Sequence, residues 1–183
     1  MAFDRQPVLE GDRLTLRPLC ESDREAFCTI VSDPALWALH PSHDRWQEPN
    51  LTAFFDDGMA RGGALAIIER ASGRLIGSSQ FGPEEAEFPG EIEIGWTFLD
   101  RAEQGKGFNP EVKALMIGHA LGHYTRAIFQ VGSENIPSRR AMAKIGAELT
   151  DRTRVYERSG SEVLHVVYAF TRESFEKGPL AQG

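Results

Sequence analysis

Arg101-Ala102-Glu103-Gln104-Gly105-Lys106-Gly107-Phe108-Asn109-Pro110-Glu111-Val112-Lys113 is the stretch on which the reading of this chain turns. Glycine takes backbone torsions closed to other residues and lets main-chain N–H groups approach a ligand closely, and here Gly105 and Gly107 stand one residue apart. Asn109 reads as an N-cap, Pro110 as the first helical residue, and Val112, Leu115, Met116 and Ala120 as one apolar face. The spacing therefore predicts a helix over residues 110–121 that stops near Gly122. Amides of the turn and of the helix N-terminus, aimed one way, make a cradle for an anion, and Lys106 adds a mobile positive charge. The P-loop pattern is absent, and a dinucleotide fingerprint needs a third glycine where Pro110 stands. Two glycines alone fit a ligand-free strand-to-helix turn better; their context reverses that.

Working outward, residues 91–99 before the turn read as a strand, and residues 127–131 after the helix as another. Two strands joined by a helix make one parallel crossover. Upstream, residues 13–17 alternate polar and apolar as a half-buried strand does, and Ser22 or Asp23 caps a helix to about Val31. Residues 35–49 read as loop or short helix, and Asn50 caps a second helix carrying Leu51, Phe54, Phe55 and Met59, stopped by Gly62-Gly63. Strands follow at 64–69 and 74–81, then an acidic loop, Gly82 to Gly90. Downstream come a helix at 137–145 and a hairpin, 148–157 and 163–170, turning at Ser159-Gly160-Ser161; the tail from Gly178 looks frayed. The fold class expected is α+β: a mixed, mainly antiparallel six- to seven-stranded sheet flanked by four helices around a central parallel β-α-β unit.

The 183 residues suit one domain, 1–183, with a core over about 13–170. A formal charge of -7 argues against a nucleic-acid binder, which needs a basic face to displace counterions. No apolar run reaches membrane-span length and the first residues lack a signal-peptide core, so a cytoplasmic protein without a membrane partner is expected, monomer or homodimer. Cys20 and Cys28 have no metal-like spacing and read as packing residues.

Three segments in order resemble the Gcn5-related N-acetyltransferase (GNAT) superfamily, in the branch of RimJ/RimL-type ribosomal-protein N-terminal acetyltransferases. They are Glu93-Ile94-Gly95-Trp96, the glycine turn with Glu111 and Lys113, and residues 135–147, which match that branch's N-x-x-S-x-x-x-x-x-K-x-G-A/F pattern. The resemblance implies acetyl-coenzyme A as co-substrate, no metal, and two central strands that splay so that pantetheine lies between them. It further implies main-chain contacts from Phe98 and Leu99, and a pyrophosphate held by Gln104, Gly105, Lys106, Gly107, Phe108 and Asn109. Asn135 would bond pantetheine, with Ser138 and Met142 near the thioester. The chain departs from the family at Ala102, where Gln or Arg is frequent, and at Met142, where many relatives carry a tyrosine acid.

The chemistry then demands a base, because an amine of pKa about 10 is protonated at neutral pH and cannot attack a thioester. Glu93 is the candidate. Alternation puts it on one strand face with Gly95 and Thr97, opposite Ile92, Ile94, Trp96 and Phe98, and flanking isoleucines would raise its pKa; a solvated carboxylate beside Glu91 is the plainer reading. A main-chain N–H of residues 91–99 serves as oxyanion donor. Ser138 is the candidate proton donor, with Tyr156 and Tyr168 behind it. Trp37, His40 and Trp46, with His43, fall where the family builds its acceptor wall, although core-filling tryptophan and surface histidine are the plainer reading for at least two of them; Glu84, Glu85 and Glu87 would attract a cationic acceptor, or form a solvated face. His119 and His123 read as a helix surface pair. The acceptor expected is an amine, a protein N-terminus or a small molecule. A non-catalytic acyl-coenzyme A sensor is the alternative.

Overall fold

The computed structural model describes residues 2–84 and 86–181, so Glu85 of the acidic loop lies outside the described residues. Strands β1 (Leu9–Glu10) and β2 (Leu14–Pro18) lead into helices α1 (Arg24–Val31), α2 (Pro34–Trp37) and α3 (Asn50–Arg61). Next come β3 (Ala64–Glu69), β4 (Leu75–Phe81), β5 (Glu91–Leu99), α4 (Phe108–Leu121), β6 (Arg126–Gly132) and α5 (Ile136–Lys144). The hairpin β7 (Glu148–Arg158) and β8 (Ser161–Thr171) is followed by α6 (Arg172–Lys177). All eight strands form one sheet in the order β1-β2-β3-β4-β5-β6-β8-β7, antiparallel except for β5 beside β6. The additions to the expected six to seven strands and four helices are the two-residue β1 and the short α2 and α6. The segment expected to fray instead forms a turn at Pro179–Ala181, with Leu180 packed on the core. Among the described residues no helix is long and apolar enough to cross a membrane.

Each sheet face carries its own core. On the α4 side, Leu14, Leu16, Leu65, Ile67, Ile92 and Ile94 meet Val112, Met116, Ile117 and Ala120. On the other side, Ala64 and Ala66 lie with Phe27 and Val31 of α1 and with Leu51, Phe54 and Phe55 of α3. The period-two switch inside β3 is what lets one strand feed both cores. Of the cysteines expected to pack, Cys28 is half-buried against the second core, whereas Cys20 is exposed with its Sγ 3.2 Å from Asp23 Oδ2.

A bulge in β5 breaks its alternation. Ser78 pairs with Phe98 and Gln80 with Gly95, so Trp96 and Thr97 together oppose Ser79, and Trp96 takes a left-handed φ of 52°. Beyond the bulge the faces exchange. Phe98 and Trp96 therefore join the α1–α3 core rather than the face of Ile92 and Ile94, and Thr97 turns to α4 instead of sharing a face with Glu93. Glu93 and Gly95 do share one: a Cβ on Gly95 would lie 3.2 Å from Glu93 Oε1. Pairing with β6 covers only Glu91, Ile92 and Glu93, opposite Arg126, Ala127 and Ile128. From Ile94 onward the two strands diverge.

Two side chains decide how α4 sits on the sheet. Glu111 accepts from the Arg13 and Leu14 amides at 2.8 and 3.1 Å and from Arg13 Nε at 3.3 Å. Arg13 in turn donates to the Lys106 carbonyl at 2.9 Å and lies 4.5 Å over the Phe108 ring, so strand, turn and helix are locked together. The other side chain is Lys113, only 3% exposed among apolar residues of α4. Its Nζ donates to Thr97 Oγ1 at 2.8 Å and sits 4.8 Å from the Phe129 ring centroid. Among the described residues no carboxylate lies within 4.0 Å of it, and desolvation alone lowers its pKa to about 7.

Glu111→Ala orphans two amides and should lower stability by about 1–3 kcal/mol in urea denaturation. The lowered folded pKa of Lys113 means that the unfolded chain binds the extra proton between pH 7 and the ordinary 10.5, so stability rises with pH across that window. Lys113→Met should accordingly be more stable than the parent near pH 7, by on the order of a few kcal/mol, with the advantage shrinking toward pH 10. An advantage independent of pH would mean that the amine is not desolvated.

Candidate active site

The glycine turn opens α4 two residues earlier than its sequence suggests. Gly107, at φ 84°, occupies the cap position, so Asn109 and Pro110 fall inside the first turn rather than at the cap and first residue. Gly105 has φ 77°. A Cβ there would touch nothing within 4 Å, and one on Gly107 only Arg13 Nη2 at 3.3 Å, so torsion rather than space requires glycine. Among the described residues the amides of Gly105, Lys106 and Gly107 find no backbone acceptor. Amides left without a backbone acceptor at a helix N-terminus suit a diphosphate. The Phe108 ring is buried in the core, which leaves its main chain for a ligand. One part of the turn differs from expectation: Lys106 Nζ is held 2.8 Å from Glu103 Oε2 rather than mobile. That lysine, with Arg74 on the other oxygen, keeps the Glu103 carboxyl below the usual range.

From the turn a cleft runs into the fork between β5 and β6. Its outer part, about 530 Å³, is bounded by Phe98, Leu99, Gln104, Gly105 and Gly107; its inner part, about 190 Å³, by Gly95, Met142 and Lys113. The two parts share His40, Thr97, Asn109, Asn135 and Ser138, so they form one continuous space. Asn135 caps α5 by accepting the Ser138 amide at 3.3 Å, which fixes where the Ser138 side chain begins. Gln104 Nε2 donates to the Leu99 carbonyl at 3.2 Å, tying the turn to the end of β5.

Trp37 and His40 line the outer wall, Trp37 anchored by its Nε1 donating to the Val31 carbonyl at 2.8 Å. His40 Nδ1 accepts the Ser42 amide at 2.9 Å, and desolvation with the nearby Arg45 charge pushes its pKa down to about 3, so the ring stays neutral. Trp46 packs on the α1–α3 core instead of bounding the cleft.

Glu93 lies on the opposite face of β5 and lines neither part of the cleft, meeting the inner part through Gln130. Its Oε2 accepts from Gln130 Nε2 at 3.2 Å, and Gln130 Oε1 accepts from the Tyr156 hydroxyl at 2.7 Å. Ile92 and Ile94 point into the α4 core, on the face of β5 away from the carboxylate. Glu91 is an ion-pair residue, held by Arg152 at 2.7 Å and Arg126 at 3.4 Å. The acidic loop is likewise engaged, Glu87 with Arg154 at 3.0 Å and Glu84 with the Tyr124 hydroxyl. Tyr168 accepts from Arg139 Nε at 3.3 Å and does not bound the cleft. His119 and His123 pack against Phe3.

Lys113, like Gln130 and His165, is a cleft residue to which sequence reasoning gave no role. The signal was present: it falls at helical spacing from Met116, Ile117 and Ala120, a charged residue written into an apolar stripe.

The acetyltransferase (GNAT) domain family matches residues 13–148, most of the chain. Solved structures carry the same fold. An acetyltransferase (GNAT family) from Bacillus anthracis superposes with a TM-score of 0.74 at 22% identity, over 91% of this chain and 99% of its own. For a GCN5-related N-acetyltransferase from Brucella melitensis the values are 0.76 and 17%, over 97% and 83%. For Mycobacterium smegmatis RimJ, solved in complex with CoA-disulfide, they are 0.69 and 18%, over 92% and 87%. With a family match that spans the glycine turn and the forked central sheet, the chain belongs to the GNAT acetyltransferases, enzymes of acetyl transfer from acetyl-coenzyme A.

Proposed function

We propose that the chain acetylates a primary amine, a protein N-terminus or a small amine, by direct attack on acetyl-coenzyme A within a ternary complex. The observation that carries this reading is that β5 leaves β6 directly after Glu93, where Gln130, a residue lining the inner cleft, bonds the Glu93 carboxylate. The thioester supplies an activated acyl group. The residues of the chain supply position, a base and hydrogen-bond donors.

In this reading the amides of Gln104 to Asn109 hold the diphosphate, and the unpaired edge of β5 beyond Glu93, through Phe98 and Leu99, bonds pantetheine as an added strand would. Asn135, Ser138 and Met142 line the other wall. Lys106 adds less than a free cation would, because Glu103 already holds it. The acceptor enters past His40 and Trp37, and Glu93 takes its proton, directly or through water. Gln130 and Tyr156 fix the direction in which the carboxylate points. Gly95 leaves the space beside Glu93 Oε1 open toward the reacting carbon. A main-chain N–H of β5 past the bulge meets the negative charge that develops on the thioester oxygen. The Ser138 hydroxyl hydrogen-bonds the leaving sulfur.

Coenzyme A release, followed across a panel of amines, tests the reading. A cognate amine should give saturable release, and Glu93→Gln should lower kcat by about 10²–10⁴-fold at neutral pH, with a smaller loss as pH nears the pKa of the amine. Binding of acetyl-coenzyme A without turnover on any amine would favour a sensor, and a pH-independent wild-type rate in Glu93→Gln would remove the base.

A further inference from the structure

The donor cleft ends on a cation. Lys113 Nζ, on a residue 3% exposed, reaches the inner cavity from α4 with Thr97 Oγ1 at 2.8 Å and the Phe129 ring as its polar neighbours. Thr97 stands there only because the β5 bulge turns it toward α4, and its hydroxyl also lies 2.8 Å from Ser79 Oγ. The groups facing Lys113 from the packed elements are Thr97 of β5, Phe129 of β6 and Ser138 and Met142 of α5. His165 of β8 and His40 line the same cavity, and burial lowers the pKa of both imidazoles. No carboxylate within 4.0 Å balances the ammonium among the described residues. A buried charge of this kind is tolerated where an opposite charge arrives during function.

We propose that the Lys113 ammonium meets the thiolate that leaves during acetyl transfer and gives it a proton. This rests on the reading of the cleft as the acetyl-coenzyme A site. As the acceptor nitrogen bonds to the acyl carbon, the carbon–sulfur bond breaks and its electron pair stays on sulfur. One Nζ proton moves to that sulfur, leaving a thiol and a neutral amine, and Lys113 is reprotonated from water once products leave. The proton taken from the acceptor by Glu93 passes to solvent, so the reaction balances as amine plus thioester giving amide plus thiol.

Acidity favours lysine over serine in this role. A hydroxyl is a far weaker acid than a thiol and can share a hydrogen bond with the thiolate but not surrender its proton. A thiol ionises near pH 8.5, so an ordinary lysine, near 10.4, would donate uphill. Lys113, lowered to about 7 by burial, donates downhill.

The pH dependence of kcat, read on the intact protein, tests this. Wild-type kcat should fall on the alkaline side as Lys113 loses its proton. Lys113→Met should lower kcat at least about tenfold and lose that alkaline fall. Lys113→Arg should also lose kcat, since guanidinium holds its proton. Full turnover in Lys113→Met or Lys113→Arg, or an alkaline fall that survives Lys113→Met, overturns the proposal. So does a bound thiol that ionises below the free value, because the proton would then stay on nitrogen. Failure of coenzyme A to bind the wild-type protein would overturn the donor site itself, a result distinct from binding with turnover indifferent to Lys113.

Discussion

Strand β5 can belong to two partners over only part of its length, and the site follows from that constraint. It pairs with β4 along its course but with β6 for three residues, ending at Glu93 and Ile128. The bulge at Trp96 and Thr97 adds one residue against Ser79, bending the strand and sharpening its twist. A parallel neighbour held straight by β8 across Arg126 to Gly132 cannot follow that bend. Beyond Glu93 that edge of β5 pairs with no strand among the described residues, a surface that suits a strand-like ligand. The bulge also swaps the faces of the residues after it, so that one strand shows Glu93 to one side of the fork and Thr97 to the other.

The electrostatics of the cleft are arranged against the character of the whole molecule. The chain carries a net charge of -7, yet the acids that border the donor path are occupied. Glu103 is bound by Lys106 and Arg74, and Glu111 by Arg13 and two amides. What remains toward the ligand is a set of amides at a helix N-terminus, the exposed Lys144 on the outer wall and, at the far end, the buried Lys113 amine. The stability lost by burying Lys113 is the counterpart of its readiness to meet an anion, a trade that sites make more often than cores do.

Much of this was legible in the chain itself. Two glycines, a helix behind them and the later Asn135 to Ala147 segment pointed to the cradle and its far wall, because torsional demands and caps leave marks in residue type. The bulge left no such mark. Trp96 at φ 52° is a torsion that tertiary packing imposes on a residue that seldom adopts it, and strict alternation therefore misassigned Trp96, Thr97 and Phe98. Lys106, Glu84 and Glu87 were read as free charges because their partners, Glu103, Tyr124 and Arg154, meet them only in the fold. Trp46 was placed at the acceptor wall by position in the chain, and packing took it to the second core.

A crystal structure of the protein with coenzyme A bound tests the central claim most directly. The account predicts a diphosphate within hydrogen-bonding distance of the Gly105 to Gly107 amides, pantetheine along residues 94–99 of β5, and sulfur in the fork facing Lys113. A diphosphate bound elsewhere, or a fork closed by β5 pairing with β6 past Glu93, would contradict it.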